Sequence, residues 1–212
     1  MRRLCALERL LMRLDTSLRA ATRSGLRQRR ATPGDELPAA ALTPVEQRRA
    51  AGLMRVNHSG EVCAQALYVG QAMLARGAQT SATLHAAAAE EGDHLYWCEQ
   101  RLAELDSHPS RLNPVWFAGS YLIGMAAAAV GDGVSLGFVE ETERQVVRHL
   151  ESHLGQLPDD DARSRAIVQA MRADEARHAE TAARHGAVRL PRVVRAAMSL
   201  SARVMTTLAY WL

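Results

Sequence analysis

Lysine is absent from the 212-residue chain, whose 26 basic residues are all arginine. A whole-chain exchange of one cation for the other reads as codon bias rather than as a functional signal. Aromatic residues make up only 4%, strand-like runs of β-branched residues are missing and alanine is abundant. That combination disfavours a sheet protein and predicts an all-α one. Cysteine is scarce: Cys5, Cys63 and Cys98 form no C-x-x-C and leave one unpaired. A disulfide scaffold or thiolate zinc site is therefore not expected, and a reducing compartment is the default. The first residues lack a compact apolar run ending in small side chains, so no cleavable secretory signal is read. Net charge is only +3, unevenly spread, since residues 1–30 hold nine arginines against Glu8 and Asp15 and leave the remainder net acidic. A nucleic-acid-binding domain carries positive charge through its folded part, so no nucleic acid partner is expected. The length suits one domain with extensions, enough to bury a core.

What is present is helical periodicity. Leu4, Leu7, Leu11, Leu14 and Leu18 recur at helical spacing, with Arg9, Arg13 and Arg19 elsewhere on the wheel. They predict a basic amphipathic helix over residues 1–21, read as a surface-docking helix, a membrane-surface element or an organelle transit peptide. Gly25, Pro33, Gly34 and Pro38 mark a linker over 22–42. A domain over 43–212 then opens on Thr43-Pro44-Val45-Glu46, with an N-cap threonine, proline at the first helical position and glutamate at N3. This first helix is predicted to reach Arg76. A second fits Ser81 to Leu105, and a third Val115 to Leu154, with Gly131, Gly133 and Gly137 as kink points. A fourth opens at Pro158 and ends near His185, and a fifth runs from Pro191 to the terminus. Short loops predict an antiparallel bundle of the first four. Residues 112–139 hold a single charge, Asp132, but are rich in Ala, Gly and Ser. They suit a buried or membrane-grazing helix better than a span, which needs roughly 20 predominantly apolar residues. The last segment, 191–212, carries Val194, Ala197, Leu200, Val204, Leu208 and Trp211 on one side and ends Tyr-Trp-Leu. It fits a membrane interface or a helix packed on the bundle equally well.

Two apolar stripes are interrupted in the same way. In the second helix Leu84, Ala87, Leu95, Cys98 and Leu102 enclose Glu91 and His94; in the fourth, Val168, Met171 and Ala182 enclose Glu175 and His178. Helical residues three apart lie about 60° apart on the wheel and about 4.5 Å along the axis, so the carboxylate and imidazole of Glu-x-x-His reach one point in a bundle interior. Buried carboxylates are costly without a partner, and two such pairs call for a common cation. Glu61 falls on the Met54–Asn57–Ala64–Tyr68 side of the first helix. Glu143 falls on the Leu136–Val139–Leu150 stripe of the third, with Glu140 one turn away as the second choice and Glu141 on the face of Arg144, Gln145 and Arg148. Glu61 to Glu91 is 30 residues and Glu143 to Glu175 is 32, so the two halves repeat one design. Four Glu and two His on four helices is the ligand set of di-iron or di-manganese carboxylate bundles. Oxygen and imidazole donors suit iron or manganese, and the lack of cysteine argues against zinc or an iron–sulfur cluster. His58 reads as support for Glu61 or as an exposed residue, and His149 and His153 as cations near a helix end. Asp174, four residues before His178, reads as a hydrogen-bond acceptor for that imidazole or as a surface acid.

At these residues the chain resembles the demethoxyubiquinone hydroxylases, a ferritin-like di-iron family of ubiquinone biosynthesis. Asn57-His58-Ser59-Gly60-Glu61 is similar to that family's first ligand motif and Glu90-Glu91-Gly92-Asp93-His94 to its second. Gly131-Asp132-Gly133 leading into Val139-Glu140-Glu141-Thr142-Glu143 resembles the third, and Asp174-Glu175-Ala176-Arg177-His178 the fourth. The similarity spans residues 40–212, including Met205-Thr206-Thr207. It implies a ferritin-like four-helix bundle with two Fe ions held by Glu61, Glu91, His94, Glu143, Glu175 and His178, of which Glu91 and Glu175 bridge. It also implies a monooxygenase that hydroxylates the ring of a polyprenylated demethoxy benzoquinone or quinol with O2 activated at the diferrous centre. NADH would be the ultimate reductant and other ubiquinone-biosynthesis proteins would be partners. No Gly-rich dinucleotide fingerprint is visible, so no NADH site is read in this chain.

An isoprenoid tail on the substrate would account for the apolar third helix and the interfacial last one, and N-terminal arginines would add attraction to anionic lipid. The expected location is peripheral, on the cytoplasmic face of a bacterial cell membrane, with the matrix side of the mitochondrial inner membrane as the alternative. The competing reading is a ferritin-type iron-binding or storage bundle, against which the weakly charged 112–139 stretch and the Tyr-Trp-Leu ending count. A metal-free structural bundle would leave the buried carboxylates unexplained.

Overall fold

The computed structural model describes residues 30–39 and 41–212; the basic helix expected over 1–21 and the first part of the linker lie outside the described residues. Six helices make up the described fold, with no strand among those residues. They are α1 Pro44–Leu74, α2 Ala78–Glu104, α3 Asn113–Val130, α4 Asp132–Leu154, α5 Ala162–Arg184 and α6 Arg192–Trp211. α1 begins where the sequence predicts, on a reciprocal cap: Glu46 N donates to Thr43 Oγ1 (3.3 Å) and Thr43 N to Glu46 Oε2 (2.8 Å). The three aspartates before α5 resolve onto Asp161, whose Oδ1 accepts from Ser164 N at 3.1 Å.

The third predicted helix is two helices. Gly131 sits at φ +147° and ψ 161°, a conformation open essentially to glycine alone, and this one residue ends α3 and restarts the chain as α4. The break is tied down from outside, because the Asp132 carboxylate accepts from Arg76 N (3.0 Å) and Gly77 N (2.7 Å). Those bonds satisfy backbone donors at the start of α2, which begins at Ala78 rather than at Ser81. α3 then lies along α1 at backbone distance. A Cβ on Gly124 would stand 2.3 Å from Leu67 O, and one on Gly70 2.3 Å from Tyr121 O, so only glycine permits this crossing.

Heptad positions reveal the bundle's directions. Met54, Cys98, Leu150 and Val168 share one buried apolar cluster, and Tyr68, Leu84, Leu136 and Ala182 share another. Each stands one heptad before or after Glu61, Glu91, Glu143 or Glu175. α1 and α5 therefore run one way, and α2 and α4 the other. α3 is the long crossover that returns the chain between α2 and α4, as in ferritin-like bundles, which replaces the expectation of short loops throughout. The four glutamates lie in a polar layer between the two apolar clusters.

α6 docks on α1 by one edge. Ala209 is fully buried there, and the Arg55 guanidinium donates to Tyr210 O at 2.7 Å. Its other side leaves Val193, Leu200, Val204 and Trp211 exposed, Trp211 by 78%. The helix is thus packed on the bundle, along one edge only. α3 likewise exposes Val115, Leu122 and Ile123. No helix among the described residues is long and apolar enough to cross a membrane.

Candidate metal centre

Six side chains predicted from the stripes meet in the polar layer: Glu61 from α1, Glu91 and His94 from α2, Glu143 from α4, Glu175 and His178 from α5. All six are buried. They fall into two groups, Glu61–Glu91–His94–Glu175 and Glu91–Glu143–Glu175–His178, and within each group one donor atom per residue lies within 4.8 Å of the others. Glu91 and Glu175 belong to both groups, the arrangement expected of bridging carboxylates. Glu140 points elsewhere and pairs with Arg144 at 2.7 Å, so geometry selects Glu143 from the three glutamates of that segment. Glu141 accepts from Gln145 Nε2 at 2.8 Å and is only 15% exposed, so it is largely covered rather than on a solvated face.

The histidines are oriented from both sides. His94 Nδ1 faces Glu91 Oε2 (3.0 Å), Glu175 Oε1 (3.1 Å) and Glu61 Oε2 (3.5 Å). His178 Nδ1 faces Glu175 Oε2 (3.2 Å), Glu91 Oε1 (3.4 Å) and Glu143 Oε1 (3.7 Å). A lone pair aimed at three carboxylates is repelled, so each Nδ1 must carry either a proton or a cation. The outer nitrogens are occupied by acids across the bundle: His94 Nε2–H donates to Asp174 Oδ2 (2.9 Å) and His178 Nε2–H to Glu90 Oε2 (3.2 Å). That favours the tautomer in which Nδ1, facing the carboxylates, is the nitrogen able to ligate a cation. Asp174 therefore does support an imidazole, but that of His94 on α2 rather than that of His178 on its own helix.

Electrostatics show buried acid crowded into the layer. Burial, then the Glu91 charge, pushes Glu61 well above the usual carboxylate range, and burial with the Glu175 charge does the same to Glu143. Burial also opposes the charges of Glu91 and Glu175, but hydrogen bonds from His178 and His94 outweigh it and hold both low. Burial lowers His94, but its hydrogen bonds to Asp174, Glu175, Glu61 and Glu91 outweigh that and raise it. Both Glu143 oxygens, one Glu91 oxygen and one Glu175 oxygen are buried without a hydrogen-bond partner. Buried acceptors facing one another without donors are rare in folded proteins, and divalent cations satisfy them. The oxygen and imidazole set fits iron or manganese. Cys98 stays outside the set: its Sγ lies against Met171 Sδ at 3.8 Å, and burial holds the thiol well above its usual range.

Some residues around the centre were not legible in the sequence. Glu90 was visible only as a neighbour of Glu91, yet it backs His178. Arg177 joins both outer acids, with Nη2 2.6 Å from Glu90 Oε2 and Nη1 2.8 Å from Asp174 Oδ1. Arg30 reaches Asp93 and Asp174 from the linker. His58 is buried and meets Asn113 Nδ2 through its Nδ1 at 3.2 Å, so it ties α1 to α3 rather than standing exposed. His153 is buried and His149 largely so, their ring centroids 3.9 Å apart. Burial first, then the charge of His149, pushes His153 down to about 3, so it is not a helix-end cation.

Comparison with known proteins gives the same picture. Residues 48–209 match the family model described as ubiquinone biosynthesis protein COQ7. A protein of Polynucleobacter asymbioticus named 3-demethoxyubiquinol 3-hydroxylase is 54% identical over 205 residues, 96% of this chain and 98% of that protein. One of the same name from Chromobacterium violaceum is 54% identical over 207 residues, with the same coverage of 96% and 98%. Another from Xanthomonas oryzae is 57% identical over 181 residues, 85% of this chain and 83% of that protein. The match takes in all four helices of the buried Glu/His layer, and the chain belongs to the ubiquinone biosynthesis protein COQ7 family.

Proposed function

We propose that this chain is an O2-dependent di-iron enzyme that hydroxylates the ring of a demethoxyubiquinol at a membrane surface. The observation that carries the reading is the pair of buried groups sharing Glu91 and Glu175, in a chain whose near full-length relatives are named 3-demethoxyubiquinol 3-hydroxylase. Glu61, Glu91, His94 and Glu175 would hold one iron, and Glu91, Glu143, Glu175 and His178 the other. Iron bound there would supply the redox chemistry that activates O2, with one oxygen atom entering the ring and the other leaving as water. That balance consumes two electrons, ultimately from NADH, and two protons. The protein's own part is orientation and exclusion. Asp174 and Glu90 keep the imidazole protons on Nε2 and turn each Nδ1 inward. The apolar clusters on both sides of the glutamate layer keep water away.

A polyprenyl tail needs an apolar approach. Arg30, Asp93, Asp174, Arg177 and Glu90 line the α2–α5 side. Most of the exposed large apolar side chains lie on α3 and α6, which pack on α1. Contact with lipid through α3 and α6 suits a peripheral protein that takes its quinol from the membrane. NADH is the ultimate reductant in this reading, its electrons arriving from outside the chain or through the quinone.

The test is the protein purified in mild detergent, assayed for iron per chain and for conversion of a demethoxyquinol with NADH and O2. About two irons with hydroxylated product support the reading. Iron without product moves the protein to storage or another substrate, and no iron after reconstitution sinks the di-iron assignment. Glu91→Ala and Glu175→Ala should each lose both irons, whereas Glu61→Ala or Glu143→Ala should retain part of the metal. Flotation with vesicles containing anionic lipid checks the membrane arm, which fails if the chain stays in the aqueous fraction at low salt.

A further inference from the structure

We infer that Arg30 is a positioning residue for the His94 half of the centre, so that the segment ahead of the bundle completes the support of one imidazole. The inference rests on the di-metal reading above. Arg30 Nη1 lies 2.7 Å from Asp174 Oδ2, the same oxygen that accepts from His94 Nε2 at 2.9 Å. Its Nε lies 3.1 Å from Asp93 Oδ2, and its backbone N donates to Asp93 Oδ1 at 3.4 Å. The guanidinium also stands over the Trp97 ring, 4.6 Å from the centroid. Asp93 and Asp174 are both buried, whereas the Arg30 side chain is 39% exposed. The arginine thus covers two acids that α2 and α5 bring together from opposite sides, and it fixes the oxygen on which the tilt of the His94 ring depends.

Two further observations make this more than a surface ion pair. The segment bearing Arg30 is anchored beyond it, since Thr32 Oγ1 donates to Gln100 Oε1 at 2.8 Å and Arg163 Nε donates to Leu37 O at 2.7 Å. The arginine is therefore presented by a fixed backbone. The arrangement is also one-sided. His178 is backed by Glu90, whose recorded cation is Arg177, and Arg30 meets neither. Arg30 precedes the residues matched by the family model, which begin at 48, so the ligand motifs do not account for it.

One-sidedness supplies the test. The full chain, stripped with a chelator, is titrated with Co2+ and followed by visible absorption. The loaded protein is then examined by proton NMR for the shifted, solvent-exchangeable N–H signal of each ligating imidazole. The wild type should take up two Co2+ and show two such signals. Arg30→Ala should weaken one of the two sites by about tenfold and speed solvent exchange of one signal while sparing the other. Arg30→Lys should recover part of the loss, since lysine restores the charge but not the planar fork. Arg163→Ala, which loosens the anchored segment but keeps the guanidinium of Arg30, should have a smaller effect on the same signal and the same site. Unaltered affinity and exchange in Arg30→Ala would overturn the inference, as would equal losses at both sites. A wild type that takes up no Co2+ would overturn the metal reading itself. Melting curves identify any variant that fails to fold, and Arg30→Lys then carries the comparison.

Discussion

The polar layer should make the metal-free protein less stable than it need be, and Glu143→Gln measures by how much. Glu143 is fully buried, both its oxygens lack a hydrogen-bond partner, and burial and the Glu175 charge push its carboxyl well above the usual range. In the unfolded chain it ionises near the ordinary glutamate value of about 4.3. Between that value and the higher folded one, the folded metal-free protein holds a proton that the unfolded chain has released. The cost has a ceiling of about 3.7 kcal/mol, set by the roughly 2.7 pH units between that value and pH 7. Glutamine has the same shape and no ionisation, but it brings an unmet N–H group worth roughly 1–3 kcal/mol. The expected net gain is about 1–2 kcal/mol, or about 2–8 °C in melting temperature for a chain of this size. Because the folded carboxyl titrates higher, the wild-type handicap grows as pH rises above the unfolded value and fades as pH falls towards it. The assay is thermal unfolding by circular dichroism of chelator-treated wild type and Glu143→Gln at pH 7 and pH 5. Glu143→Gln should melt higher at pH 7, by a margin that narrows at pH 5. With Fe2+ added anaerobically the order should reverse, because the variant has lost a ligand from one group. A metal-free Glu143→Gln that melts below wild type at pH 7, or a margin independent of pH, would refute the reasoning.

Other outcomes follow from particular contacts. Gly124→Ala places a methyl group against Leu67 O and should destabilise the fold by about 1–3 kcal/mol; Gly119→Ala, on the same helix with nothing within 4 Å, should gain about 0.5–1 kcal/mol. Equal shifts in the two melting curves would contradict the close crossing of α1 and α3. His153→Leu should pull ahead of wild type as pH falls below about 6.5, by roughly 1.4 kcal/mol per pH unit, because the unfolded chain accepts a proton that the buried imidazole refuses. Denaturant melts at pH 7 and pH 5 check this, and a constant difference counts against it. Asp174→Asn should lower metal affinity at one site by about 10–100-fold, with a smaller effect from Glu90→Gln, since Glu90 is 37% exposed and Asp174 only 8%. Calorimetric titration with Mn2+ separates the two, and equal losses at both sites would argue against the cross-paired supports.

Local and periodic features were legible in the sequence. The Thr43–Glu46 cap, the stripes on α1, α2, α4 and α5, and the inward placement of Glu61, Glu91, His94, Glu143, Glu175 and His178 all depend on residues within a few turns of one helix. What was not legible depends on distance in the chain. Gly131, Gly133 and Gly137 look alike as possible kinks, and only the backbone angle at Gly131, held by Asp132 against the α1–α2 turn, makes it the break. Helical spacing of four residues pairs Asp174 with His178, but the buried direction of that side chain leads to His94. Arg30 stands 63 residues from Asp93 and 144 from Asp174, and no periodicity connects them. The last helix escaped a single assignment because its two sides meet different surroundings, Ala209 against the bundle and Trp211 outside it.

The cross-pairing of the supports has a consequence for how the two helical hairpins relate. Each metal group borrows a glutamate from the other hairpin, since Glu175 completes the group of Glu61, Glu91 and His94, and Glu91 that of Glu143, Glu175 and His178. Each imidazole also rests on an acid from the opposite hairpin. Neither hairpin is a module that could work by itself. An isolated α1–α2 or α4–α5 unit would be missing one ligand and one support, and could recover both only by clasping a second unit of its own kind. The same interlocking means that damage to one hairpin reaches the centre in the other.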